Sequence, residues 1–213
     1  MTSREQVEPP DTVEPSSLHR LLRETRAALA ITLILAGLAG VVFPAAVIGV
    51  GQVAFEERAD GSLLRDEQGN VIGSKLIGQR FSGEQYFHPR PSAAGADGYD
   101  GSASSGLNLG PTNEQLLATI DERARAYRDE NGVADHVELP ADAVTTSASG
   151  LDPHISPANA VLQVARVARA RGMSEDEVRD LVDEHTDDPA LGFFGEPWVN
   201  VLLLNRALDE AQR

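Results

Sequence analysis

The chain has 213 residues, enough for one membrane anchor and one soluble domain. Its 33 acidic residues against 18 basic ones give a net charge of -15, which argues against nucleic acid as a partner, because phosphate binding needs clustered Lys and Arg. Cysteine is absent, which excludes disulfides, thiolate zinc sites and a cysteine nucleophile.

In chain order, residues 1–26 read as a cytoplasmic tail whose start, rich in Glu, Pro, Ser and Thr, has the composition of a disordered segment. From Ala27 to Phe55 there is no charged side chain. A bilayer core of about 30 Å needs about 20 apolar residues in a helix. Lipid offers no water to a bare peptide group, so residues 27–50 are expected to cross as a helix. Pro44 predicts a kink or an approach to the interface, and Gly37, Gly40, Gly49 and Gly51 give small-residue faces. Arg20, Arg23 and Arg26 flank the start, whereas Glu56 and Glu57 open the other side. The positive-inside rule therefore puts the N-terminus in the cytoplasm and the larger C-terminal part outside. A cleaved signal peptide has an apolar region of about 7–15 residues, shorter than this one.

Residues 56–213 form a single-domain length. Val71 to Gln79 reads as a short strand, and Arg90 to Pro111 as a long loop rich in Gly, Ser, Ala, Asn and Asp. Thr112 or Asn113 caps a helix carrying Leu116, Leu117, Ile120 and Ala124, which Gly132 ends. Pro157 starts a helix running to Arg171, with Val161, Val164, Ala165 and Ala168 expected on one face and Gly172 closing it. Ser174 and Glu177 match a capping box opening a helix through His185. Val199 to Leu208 is apolar and fits either a helix or a strand. The fold class that follows is α+β: one N-terminal transmembrane helix followed by a single mixed domain.

Motifs for chemistry are sparse. The sequence contains no G-x-S-x-G elbow, no H-x-x-x-H pair and no Walker loop ending. Asp152-Pro153-His154 could supply a carboxylate–imidazole pair, although a dipeptide before proline favours turn geometry.

What stands out is an ordered series of turn-rich strings: Gly73 to Gln79, Tyr86 to Ser92, Asn108 to Asn113, Ser149 to Pro157, then Gly195-Glu196-Pro197 with Val199-Asn200-Val201. In this order, behind one span, they resemble the C subunit of the Kdp potassium-transporting ATPase over residues 25 to 210. Leu107 and Trp198 depart from that pattern, which leads one to expect a polar and a basic residue there. The resemblance implies an accessory, non-catalytic subunit of an ATP-driven, high-affinity potassium uptake complex in the cell membrane. Its implied partners are the catalytic P-type subunit KdpB, the channel-like subunit KdpA, the small subunit KdpF and membrane lipid. It further implies a role in assembly and in raising the ATP affinity of the catalytic subunit. In that scheme Gln163, within Gln163-Val164-Ala165-Arg166-Val167-Ala168, contacts ATP. The flanking charges instead put Gln163 outside, away from cytoplasmic ATP, so the two expectations conflict; separately, a polar Gln on an amphipathic helix is ordinary solvent-facing chemistry. The competing functional reading is an independent, membrane-anchored binding or hydrolytic domain built on the 90–111 loop with Asp152 and His154.

Overall fold

The computed structural model describes residues 17–189 and 191–212, so the expected disordered start of the tail lies outside the described residues. The chain divides into two units, Met1–Ala59 and Asp60–Arg213.

In the first unit, α1 (Ser17–Gly37) and α2 (Phe43–Ala54) run on through a single π-helical turn, Leu38–Val42, and a short α3 (Glu56–Ala59) follows. The helix from Ser17 to Ala54 is long and apolar enough to cross a membrane. It extends beyond the expected 27–50 at both ends, so Arg20, Arg23 and Arg26 ride on the helix itself. Pro44 explains the wide turn. In an α-helix its ring would collide with the carbonyl four residues back. Here the Phe43 N–H reaches back five residues to the Leu38 carbonyl, which opens the ladder just before the proline.

The second unit is built around α6 (Pro157–Arg171). A two-stranded ribbon, β1 (Leu63–Arg65) with β2 (Val71–Ser74), comes first, then α4 (Glu114–Asn131) and α5 (Ala141–Val144). A three-stranded antiparallel sheet follows in the order β3 (His154–Ile155), β5 (Trp198–Asn200), β4 (Thr186–Asp187), with α7 (Glu175–Glu184) and α8 (Val201–Ala211) completing the set. Phe87, Ile155, Val164, Val167, Val178, Val182, Val199, Leu204 and Leu208 form the core between α6, α7, α8 and β5. Complete burial of a side chain of this size stabilises the fold by about 1.5–3 kcal/mol. The mixed helix and sheet content agrees with the α+β expectation.

The local signals explain the helix ends. Asn113 caps α4 by accepting the N–H groups of Gln115 and Leu116. Ser156 caps α6, and Ser174 and Glu177 form the expected reciprocal capping box on α7. Three expectations need correction. The ladder stops at Ser74 rather than Gln79, because the Ser74 hydroxyl takes the Leu76 N–H and the Ser74 carbonyl takes that of Ile77, which turns the chain. Val161 is 43% exposed; the buried stripe of α6 runs through Ala160, Val164, Val167 and Ala168, one position further round. The apolar segment from Val199 is neither helix nor strand alone, since β5 passes directly into α8, with Asn200 accepting the Leu203 N–H as the cap.

Candidate functional site

Inside the α6 face lies a polar stripe at helical spacing: Asn159, Gln163 and Arg166, all buried. Such groups are costly unless hydrogen-bonded, and here every side-chain nitrogen and oxygen of the three has a partner. Gln163, 1% exposed, spends all four of its hydrogen bonds within the domain. Its Oε1 accepts the His88 backbone N–H at 2.7 Å and an Arg166 guanidinium N–H at 2.8 Å. Its Nε2 donates to the His88 carbonyl and to Asn159 Oδ1, each at 3.0 Å. Gln163 is therefore not the solvent-facing residue that an amphipathic reading expects.

From α8, Asn205 does the same to the preceding residue. Its Oδ1 accepts the Phe87 N–H at 2.8 Å and its Nδ2 donates to the Phe87 carbonyl at 2.9 Å. Two carboxamides thus hold two consecutive residues as neighbouring strands would, and the Phe87 ring between them is fully buried. Arg166 completes the hold, donating to the carbonyls of Glu84 and Tyr86 and to Asn131 Oδ1. Burial pulls the Arg166 guanidinium below its usual value, with Glu130 and Tyr127 opposing. Tyr127 from α4 donates to Asn159 Oδ1 at 2.7 Å, and burial drives its phenol well above the ordinary range. Asp142 ties α5 to this stripe by accepting from Ser156 and from Asn159 Nδ2.

His88 itself faces two acceptors, Glu130 at 2.9 Å from Nδ1 and the Gly83 carbonyl at 3.0 Å from Nε2. Both contacts are hydrogen bonds only when both ring nitrogens carry a proton. The hydrogen bond from His88 holds the Glu130 carboxyl below the usual glutamate range, against the opposing effect of burial.

Asp152 and His154 are brought together as the sequence allows. His154 Nδ1 lies 3.3 Å from Asp152 Oδ1, and the His154 backbone N–H donates to the same oxygen at 3.0 Å, an Asx turn. Arg90 pairs with the other carboxylate oxygen at 3.1 Å. Burial pushes the Asp152 carboxyl up, but the hydrogen bonds from His154 and the charges of His154 and Arg90 outweigh it and leave it below the ordinary aspartate range. The His154 ring stacks at a tilt on Trp198, with centroids 4.0 Å apart. Among the described residues no group of three His, Asp or Glu could hold a metal ion.

The long loop is fastened to the same place. Ser92 Oγ donates to the Gly150 carbonyl at 2.5 Å and accepts the N–H groups of Ala94 and Tyr99. The Tyr99 hydroxyl donates to the Arg90 carbonyl, and burial pushes that phenol up to about 12. A cavity of about 330 Å³ remains between this loop and α4, lined by Arg80, Arg90, Arg123, Tyr99 and Glu130 among others.

Three strings singled out in the sequence therefore converge on one region: Tyr86 to Ser92, Ser149 to Pro157, and the α6 segment bearing Gln163. Asn108 to Asn113 serves mainly to start α4. Asn205, Asn159, Arg166, Tyr127 and Glu130 were not singled out from sequence. The polar i, i+4, i+7 stripe of Asn159, Gln163 and Arg166 on an otherwise apolar face was the available signal.

Comparison with known proteins agrees with the resemblance. The family model described as "K+-transporting ATPase, c chain" matches residues 25–210. The potassium-transporting ATPase KdpC subunit of Caulobacter vibrioides is 60% identical over 173 residues, covering 81% of this chain and 85% of that protein. The KdpC subunit of Mycobacterium tuberculosis is 55% identical over 187 residues, 88% of this chain and 98% of the relative, and that of Koribacter versatilis 51% over 181 residues, 85% and 91%. With the uncharged run from Ala27, the core and the converging loops inside the matched region, the chain belongs to the KdpC family, the c chain of potassium-transporting ATPases.

Proposed function

We propose that this chain is a non-catalytic accessory subunit needed to assemble an ATP-driven, high-affinity potassium uptake complex. Its partners in this reading are the hydrolysing subunit KdpB, the channel-like subunit KdpA and the small subunit KdpF. The observation that carries the reading is the family match from residue 25 to 210, which takes in most of the spanning helix together with the folded domain. Pulling the tagged full-length chain from detergent-solubilised membranes tests it. A P-type ATPase and a large multi-span protein should come with it, and deletion should abolish growth at low potassium. Recovery of this chain alone, with uptake intact, refutes the reading.

The domain from Asp60 onward lies outside the cell in this proposal, on the strength of Arg20, Arg23 and Arg26 at the opposite end of the span. The absence of native cysteine makes labelling of an Ala170→Cys variant with an impermeant thiol reagent a clean test, since Ala170 is exposed. Labelling in intact spheroplasts supports the outward domain; labelling only after permeabilisation reverses it.

By the family resemblance, the ATP affinity of the catalytic subunit depends on Gln163. The four filled hydrogen bonds of its amide favour an indirect route, in which Gln163 fixes the Tyr86–His88 segment as a surface for a partner, over direct contact with nucleotide.

A further inference from the structure

Between β4 and β5 the chain projects a tip that none of the described residues covers. Leu191 is 87% exposed, Phe193 76% and Phe194 73%, and the two rings meet edge to face with centroids 6.3 Å apart. A phenylalanine carries about 150–250 Å² of surface, so the tip offers on the order of 300 Å² of apolar area, the size of the largest patch on an ordinary monomer, which is often a functional one.

The tip is held in shape. Its base is the ladder Thr186 to Val199 and Asp187 to Trp198, and Val199 is fully buried in the core. The Gly192 N–H closes a turn on the Pro189 carbonyl at 2.8 Å. Leu191 sits at φ 59, a left-handed conformation that branched side chains rarely adopt. The backbone thus presents Leu191 and both rings outward instead of folding them back.

Charge selects the occupant. Between Arg179 and Arg206 there is no Lys or Arg, while Asp183, Glu184, Asp187, Asp188 and Glu196 are all exposed. An acidic collar repels anionic lipid headgroups, and membrane-surface segments carry Lys and Arg for that reason. It equally repels a second copy of the same tip. The complementary surface is an apolar pocket with a basic rim on a different protein.

We propose that the Leu191–Phe194 tip inserts into an apolar, basic-rimmed pocket on another subunit of the transport complex and anchors this domain there. The proposal rests on membership of that complex as described above. Two measurements test it in the full complex purified from membranes. First, Phe193→Ser with Phe194→Ser should lower the amount of partner recovered per tagged chain by roughly tenfold, in line with central aromatic anchors, while the melting temperature of the chain stays unchanged. Second, a benzophenone side chain at position 194 should crosslink, on illumination, to another subunit. Partner recovery within twofold of the unmodified chain overturns the proposal, as do crosslinks confined to lipid, to a second copy of the chain or to nothing. If the unmodified chain itself recovers no partner, the complex reading falls first and takes this one with it.

Discussion

Replacing Gln163 with Leu keeps a branched side chain, one atom shorter, but removes both hydrogen-bonding ends. The His88 N–H loses its acceptor, the His88 carbonyl its side-chain donor, and one Arg166 N–H its acceptor, whereas Asn159 Oδ1 keeps Tyr127. A buried neutral group left unpaired costs about 1–3 kcal/mol, and a charged donor about as much or more. These three neighbours do not add independently, so the expected loss is roughly 3–5 kcal/mol, a large share of the 5–15 kcal/mol typical of a domain. At 2–4 °C per kcal/mol for a domain of about 150 residues, the melting temperature should fall by about 6–20 °C. Thermal unfolding of the full-length chain in detergent, followed by circular dichroism, reads this directly. A fall of less than about 3 °C would refute the claim that Gln163 secures the His88 segment. Measuring ATP dependence of the complex below that transition separates the two routes to nucleotide. Direct contact predicts a raised KM for ATP with partner recovery unchanged, and the indirect route predicts that the KM rises together with a fall in partner recovery.

Gly150 and Gly172 share the same backbone conformation, φ 66 and φ 67, but a Cβ on Gly150 would lie 2.5 Å from the Ser105 carbonyl oxygen and 2.8 Å from the Ala94 nitrogen, while one on Gly172 meets nothing within 4 Å. Gly172→Ala should therefore cost about 1 kcal/mol and Gly150→Ala about 2–5 kcal/mol, with faster proteolysis within residues 92–105; equal melting temperatures for the two would count against the packing argument. Glu130 has a carboxyl held below its unfolded value, so its contribution to stability is present above about pH 4.3 and fades as the pH falls through the folded value. Glu130→Gln should be less stable than the unmodified chain at pH 7, with the two converging as the pH falls through the folded value; curves that stay parallel on acidification would dismiss the His88–Glu130 pair as a source of acid sensitivity.

Local chemistry was legible in the sequence and distant pairing was not. The Ser174–Glu177 box, the Asn113 cap and the Pro157 start each depend on residues within a turn or two, and each stands where the pattern put it. Gln163 reads as a surface residue because a polar Gln on an amphipathic helix ordinarily faces solvent; its burial is decided by His88, 75 positions earlier. Asn205 is likewise matched to Phe87 across 118 positions. The strands of the central sheet are two or three residues long, too short to carry a period, and β5 passes into α8 without a break. Asp152 and His154 were seen as a pair, but Arg90 and Trp198, which surround them, come from a distant loop and from the start of β5.

The widened turn before Pro44 also resets the phase of the span. On an unbroken helix Gly37 and Gly49 would be separated by about 120° around the axis, at about 100° per residue. A turn that takes up one residue more brings the two to within about 20° of each other. Added Cβ atoms at Gly37 and at Gly49 would meet nothing within 4 Å. The proline thereby lines up two shallow notches that an α-helix of the same sequence would point a third of a circle apart.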